Sequence, residues 1–263
     1  MEQALSDSEI AAHIREVTED EVAIYQAQGW VKLEHLITPE FAGELLCAGR
    51  DWHERHGMST TGWNAMAIQR DAEPFGSFMF SSVMGRNAQR LVNRSRLSGI
   101  DVPLRYRNDH FVERGRGSQG SSYHQDSAEH GSDRAGELQF WLALAEVTPE
   151  MGAMRFVTGS HREGPLGAVL KDLDGDGDLL QVYPRLTDVL ELSPPLHYQP
   201  GDCTVHHGYT VHGAPPNSTD HPRLSYIFSY TPADTRWWNG EVKNWGSERR
   251  VLGDRWPIVY PRP

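Results

Sequence analysis

After Pro103 the chain breaks into short strand-like segments, and this succession narrows the possible folds more than any other feature. Apolar and β-type residues concentrate at 103–112, 139–147, 153–158, 196–198, 203–206, 209–212 and 224–231, with Gly- and Pro-rich turns between them. Many short strands joined in this way build a sandwich, a barrel or a jelly roll. Upstream the pattern differs. Thr18-Glu-Asp-Glu21 is a capping box that starts a helix, Gly29 stops it, and Trp30-Val-Lys-Leu33 reads as a strand. Thr38-Pro39-Glu40 caps a second helix, with Phe41, Leu45, Leu46 and Trp52 at helical spacing as far as Gly57. From Met58 to Ile100 the pattern is irregular. This stretch contains Trp63, Met66, Phe75, Phe78 and Phe80, and a further helix is expected over 82–96.

No internal repeat or low-complexity linker divides the 263 residues, so one domain is expected over 1–263. Its parts are N-terminal helices and substrate-side loops (1–100), a β core (101–232) and a C-terminal tail or lid (233–263). Composition removes several function classes. A net charge of -11 makes the chain a poor polyanion binder, because phosphate affinity comes from Lys and Arg displacing counterions, so nucleic acid is not an expected partner. The longest apolar runs, such as Phe140 to Ala145, fall well short of the roughly 18 residues needed to span a bilayer, so no membrane partner is expected. The opening MEQALSDSEI is acidic where a signal peptide needs a basic start, which gives a cytoplasmic expectation. Cys47 and Cys203 are the only cysteines, so a metal would have to use His and carboxylate ligands.

In Ser122-Tyr123-His124-Gln125-Asp126, the His and Asp are two positions apart. On an extended strand both would leave the same face about 7 Å apart at the backbone. A third His from another strand would complete a facial triad of two His and one carboxylate, a ligand set suited to non-haem Fe(II) and oxygen chemistry. Val205-His-His-Gly-Tyr-Thr-Val-His-Gly213 offers three candidates, His206, His207 and His212. Gly208 interrupts the run, and His212 lies beside the turn Gly213-Ala-Pro-Pro-Asn217. Arg223 follows eleven residues after His212, and a hairpin centred near Asn217-Ser218 would set the two strands side by side. An arginine there can grip one end of a small diacid while the other end reaches the metal. Neither His206 nor His207 has an arginine so placed. His161 reads as structural, whereas Asp109 and His110 lie on a segment that could face the pocket.

The chain resembles the phytanoyl-CoA dioxygenase family of Fe(II)- and 2-oxoglutarate-dependent oxygenases over roughly Thr18 to Thr231. The residues that carry the resemblance are His124-Gln-Asp126, Trp141-Leu-Ala-Leu-Ala-Glu-Val-Thr-Pro-Glu-Met-Gly152 leading to Thr158-Gly-Ser-His161, Gly201-Asp202, His212-Gly213 with Asn217, and Arg223. The resemblance implies a mainly β fold with N-terminal helices, a double-stranded β-helix (a cupin-like jelly roll) with iron at one mouth. It implies His124, Asp126 and His212 as catalytic iron ligands, Arg223 as the anchor for the distal carboxylate of 2-oxoglutarate, and Trp141 as a wall of that pocket. Some members carry Ser two residues after the last ligand; this chain has Ala214, so Thr210 or Ser225 is expected to supply the missing donor. The family's Glu-Asn-Gly is here Glu150-Met151-Gly152, a change confined to a turn.

The implied reaction consumes molecular oxygen and 2-oxoglutarate to oxidise a C–H bond of a small molecule. Halogenases of this type lack the carboxylate ligand, so Asp126 favours hydroxylation or a related radical cyclisation or epimerisation. The aromatic residues between Trp63 and Phe80, with Trp237, Trp238 and Trp245, suggest a bulky, partly apolar substrate. By analogy the chain is similar to the carbocyclase and epimerase of nogalamycin biosynthesis, which points to secondary metabolism and antibiotic biosynthesis. The competing reading is a cupin-like metal isomerase or hydrolase acting without 2-oxoglutarate. Asp172-Leu-Asp-Gly-Asp-Gly-Asp178 imitates a calcium loop, but Tyr183 stands where a bidentate Glu is required, so it reads as an acidic surface turn.

Overall fold

The computed structural model describes residues 4–57, 61–66, 68–92, 102–130, 135–166, 177–235 and 257–260. The N-terminal elements form as their capping residues dictate. A short helix α1 (Asp7–Ala11) opens on a Ser6 capping box that the sequence reading did not anticipate. In α2 (Glu19–Gln28) the Thr18 side chain accepts from Glu21 N and the Glu21 carboxylate accepts from Thr18 N at 2.7 Å. Gly29 then adopts φ 81°, a left-handed turn that releases the chain into β1 (Trp30–Leu33). α3 (Pro39–His56) starts at the Thr38 cap and ends at Gly57 in the same left-handed region. β2 (Thr61–Met66), α4 (Phe75–Met79) and α5 (Ser82–Leu91) follow, so the helix expected over 82–96 ends at Leu91 within the described residues. Buried Asn87 ties α5 to the segment before α2, donating to Arg15 O and accepting from Val17 N.

The remaining strands are β3 (Leu104–Arg114), β4 (Ser121–His124), β5 (Leu138–Ala143), β6 (Arg155–Phe156), β7 (Cys203–His207), β8 (His212–Ala214), β9 (Arg223–Pro232) and β10 (Ile258–Tyr260). Among the described residues, seven of the ten strands make one curled antiparallel sheet in the order β1-β7-β5-β9-β3-β10, with β2 also paired to β3. The other three form a second sheet, β4-β8-β6. This is the expected jelly-roll arrangement of two sheets preceded by helices. Two expected strands differ. The segment 196–198 contributes only a bridge between Tyr198 and Val147, and 209–212 is a turn from which β8 emerges at His212. Two unexpected strands, β2 and β10, pair along successive stretches of the long β3, which brings part of the tail back onto the sheet.

The larger sheet has two dissimilar faces. Along β9, Leu224, Tyr226, Phe228 and Tyr230 alternate with Arg223, Ser225, Ile227 and Ser229. The apolar set joins Phe111, Phe140 and Leu142 in a core packed against the helices. Phe75 lies 4.7 Å from the Tyr226 ring and Phe78 5.4 Å from that of Phe228. Both phenylalanines are fully buried, each contributing about 1.5–3 kcal/mol. They are therefore core residues, and they do not supply the substrate wall expected of them. Trp237, Trp238, Trp245 and most of the acidic turn lie outside the described residues, as does the Trp63 side chain. Of that turn Asp178 is seen, capping the helical turn at Leu179–Val182. Among the described residues no helix is long and apolar enough to cross a membrane.

Asp109 belongs to the helix-side face, contrary to the expectation that it might face the pocket. Its carboxylate accepts from Tyr106 Oη at 2.6 Å, Tyr226 Oη at 2.9 Å and Gln69 N at 3.1 Å. Burial pushes its pKa up to about 6, against the pull of those donors. A carboxyl raised above its unfolded value contributes stability at low pH that is lost as pH rises through the folded value. Asp109→Asn should remove this loss. Relative to wild type, its urea-unfolding free energy should improve by about 3 kcal/mol between pH 3 and pH 7. A difference that does not change with pH would contradict this assignment.

Candidate active site

The opposite face of the larger sheet looks toward the smaller one, and strand register lines up its side chains in rows. Asn108 pairs with Ser229, Ser229 with Gln139, Gln139 with His206, and His206 with Trp30. Directly paired residues share a face, so these five form one row across five strands. The next row contains His110, Ile227, Trp141 and Thr204. Arg223 and Ser225 lie further along the same face of β9. A jelly-roll interior filled only for stability would be apolar; this one is apolar around Trp30, Trp141, Phe156 and Tyr198 and polar elsewhere.

Three potential ligands meet where the two sheets face each other. His124 ends β4 and pairs directly with His212 at the start of β8. Asp126 is not on the strand with His124, as the spacing implied: the chain bends at Gln125, and Asp126 is the first residue of a five-residue helix, α6 (Asp126–His130). The bend is pinned by the Gln125 side chain. Its Nε2 donates to Tyr209 O at 2.7 Å and Gly164 O at 3.0 Å, and its Oε1 accepts from Leu166 N at 2.6 Å. The middle residue of His-Gln-Asp thus holds the outer two in place.

Donor atoms of His124, Asp126 and His212 all lie within 4.8 Å of one another. His124 Nδ1 is 2.7 Å from Ser122 O, and His212 Nδ1 is 3.0 Å from Thr210 O. A carbonyl oxygen can only accept, so both Nδ1 atoms carry a proton and the Nε2 atoms are the ones turned toward the site. These face the Asp126 carboxylate at 3.6 Å and 3.7 Å. Burial raises the Asp126 pKa, but His212 and the hydrogen bonds from His124 and His206 outweigh it and hold the group well below the usual carboxylate range. Burial drives the His212 pKa well down, with His206 acting in the same direction. A divalent metal needs an ionised carboxylate and imidazoles unprotonated at the ligating nitrogen, and the directions for Asp126 and His212 both favour that state.

The other two histidines of the run separate cleanly. Both are on β7, and adjacent strand residues point to opposite faces. His206 points inward, its Nε2 3.1 Å from Asp126 Oδ2. His207 points away, next to His161, and its Nδ1 accepts from Tyr209 N at 3.0 Å. Burial, reinforced by His161, lowers the His207 pKa to about 3, so it serves the turn as a neutral group.

Arg223 reaches this interior by a different route from the expected hairpin. β8 belongs to the smaller sheet and β9 to the larger, so His212 and Arg223 are not on paired strands. Pro215 and Pro216 carry the chain across, because neither offers an N–H to continue a ladder. Asn217 fixes the crossing, its Nδ2 donating to Arg114 O at 3.0 Å and His221 O at 2.8 Å. The Arg223 guanidinium lies 5.9 Å from the Trp141 ring. Its Nε and Nη1 are buried without a hydrogen-bond partner, as is Ser225 Oγ two residues along the same face. Burial, with Arg114 nearby, lowers the Arg223 pKa to about 10, which leaves it cationic. Thr210 is placed otherwise, donating its hydroxyl to Gly29 O at 2.7 Å. Gly152 has φ 82°, and a Cβ there would collide with Pro215 O and press on Arg223 Nη1 at 3.3 Å. Met151 beside it leaves that turn intact.

The family model described as phytanoyl-CoA dioxygenase (PhyH) matches residues 12–225. The chain belongs to this family. A methylphosphonate hydroxylase from Gimesia maris is 31% identical over 114 residues, which is 43% of this chain and 40% of that protein. The matched stretch spans less than half the length of the curated relatives. Two solved structures share the fold. The non-haem α-ketoglutarate-dependent carbocyclase SnoK from nogalamycin biosynthesis superposes with a TM-score of 0.73 at 21% identity, covering 92% of this chain and 96% of that one. The corresponding values for the epimerase SnoN are 0.68, 22%, 92% and 98%. Within this PhyH chain, sequence reasoning gave no structural role to Gln125 and left His206 as a mere neighbour. The signal for Gln125 was its place between two candidate ligands; the signal for His206 was its parity with Thr204 on β7.

Proposed function

We propose that the chain is an Fe(II)- and 2-oxoglutarate-dependent oxygenase that oxidises a C–H bond of a small molecule. The observation that carries this reading is the pairing, in one interior, of two imidazole Nε2 atoms beside an ionised carboxylate with a buried guanidinium whose Nε and Nη1 have no hydrogen-bond partner. His124, Asp126 and His212 would hold the iron. Arg223 and Ser225 would take the distal carboxylate of 2-oxoglutarate as a charge-assisted pair, with Trp141 forming the wall beside it. Iron with 2-oxoglutarate supplies the oxidising power, using molecular oxygen and releasing succinate.

The residues of the chain fix geometry and exclude water. Gln125 and the His124–His212 pairing set the ligand positions before any metal arrives, so little rearrangement is needed on binding. Phe156 stacks on Trp30 at 4.8 Å and packs against His206, closing that side to solvent. Gln139, Ser229 and Asn108 extend the row beyond His206, away from Arg223, and provide polar groups to orient a substrate. Hydroxylation is the reaction class favoured for the chain, and the hydroxylase among its relatives supports it. Radical cyclisation or epimerisation of a natural product is the narrower alternative, supported by the shared fold of SnoK and SnoN. A cosubstrate-free isomerase or hydrolase has no use for Arg223 in this position.

Adding 2-oxoglutarate to the anaerobic Fe(II)-loaded protein should produce a weak visible charge-transfer band. Folded, iron-loaded protein that gives no such band would refute the dioxygenase reading.

A further inference from the structure

Asp126 differs from the two histidines beside it in what holds it. His124 and His212 are fixed by paired strands and by Nδ1–H bonds to backbone carbonyls. Asp126 begins a five-residue helix and lies on neither sheet. Among the described residues, the further imidazole reaching its carboxylate is that of His206. This residue is 3% exposed and sits mid-sheet on β7, paired on one side with Trp30 and on the other with Gln139. Its ring centroid is 4.1 Å from that of His212 and 5.4 Å from that of Phe156, so its orientation is fixed from two directions. Nε2 lies 3.1 Å from Asp126 Oδ2, closer than either proposed histidine ligand comes to the same carboxylate. An ionised carboxylate can only accept, so His206 Nε2 is the donor.

We propose that His206 is a positioning residue of the metal site, its Nε2–H holding Asp126 Oδ2 so that the carboxylate offers Oδ1 to the metal. His206 therefore carries the tautomer opposite to that of His124 and His212. It orients a ligand and is not a ligand itself. This inference rests on the metal-site reading above. Hydrogen-bond partners of ligating groups typically contribute 10- to 100-fold to metal affinity, which sets the size of the expected effect.

The test compares Co(II) affinity, measured by calorimetry, in wild type, His206→Gln and His206→Phe. Gln keeps an N–H donor of similar reach and should bind within about threefold of wild type, whereas Phe fills the ring space without a donor and should bind about 10- to 100-fold more weakly. In parallel, 15N-histidine NMR of the wild-type Zn(II)-loaded protein should show a protonated Nε2 at His206 and metal-bound Nε2 at His124 and His212. His206→Phe binding Co(II) like wild type would overturn the proposal, as would His206→Gln losing as much affinity as His206→Phe. A metal-bound or unprotonated His206 Nε2 would do the same, and this measurement stands even if a variant fails to fold. If wild type itself binds no Co(II), or Asp126→Ala binds it equally well, the metal-site reading falls with it. Failure confined to the His206 results leaves that reading intact.

Discussion

Asp126→Ala should lower Fe(II) affinity by more than about 100-fold and reduce 2-oxoglutarate-dependent succinate release to background. The lower bound follows from the effect of removing a mere hydrogen-bond partner of a ligand, about 10- to 100-fold, which removal of the ligand itself must exceed. The reason lies in the donor set: without the carboxylate only two imidazoles remain, ligands that bring no negative charge to offset that of the cation. The fold should survive, because Asp126 opens a short helix and contributes nothing to the helix-side core. Circular dichroism and the thermal midpoint should therefore stay near wild type while calorimetric iron binding is lost. Wild-type succinate release from this variant would exclude the ligand assignment.

Arg223→Leu is expected to act with opposite signs on binding and on stability. Losing one partner of a buried charge pair costs about 2–5 kcal/mol, so 2-oxoglutarate should bind roughly 30- to several-thousand-fold more weakly. Without 2-oxoglutarate the same substitution removes a buried cation whose Nε and Nη1 have no partner and whose neighbour Arg114 repels it. Relieving unsatisfied buried donors is worth about 1–3 kcal/mol, so the thermal midpoint of the cosubstrate-free protein should rise. Thermal unfolding with and without 2-oxoglutarate reads both effects: wild type should be stabilised by the cosubstrate and the variant should not. Unchanged affinity in Arg223→Leu would remove the anchor. A fall in stability without cosubstrate would show that the guanidinium has a structural partner.

The helical opening of the chain was legible because capping is local: Thr18, Gly29, Thr38 and Gly57 each act within one turn of their own position. The jelly roll was legible from the rhythm of short segments. What escaped was pairing at a distance. β2 and β10 are strands because β3 is long enough to receive both, a property of β3 that their own sequences do not carry. The same limit explains the hairpin expected to join His212 to Arg223. Spacing permits either a tight return or a crossing between sheets, and Pro215-Pro216 with Asn217 produces the crossing. At the site, residue types indicated which side chains to consider, and strand parity decided among them. Asp109 and His110 are neighbours in sequence, yet one serves the helix-side core and the other the interior. Phe75 and Phe78 show the same ambiguity: nothing in an aromatic-rich stretch says whether it lines a pocket or fills a core.

The two-faced sheet also decides where this protein can change. Phe140, Tyr226 and Phe228 carry the packing against the helices, while Gln139, Ser229 and Asn108, on the reverse of the same strands, add little to it. Under the proposed function, each strand separates the residues that pack the core from those that would face a substrate by a single peptide step. New substrates would then be accommodated by altering every second residue, with the intervening ones left as they are. A chain built in this way can diverge widely in chemistry while keeping one architecture.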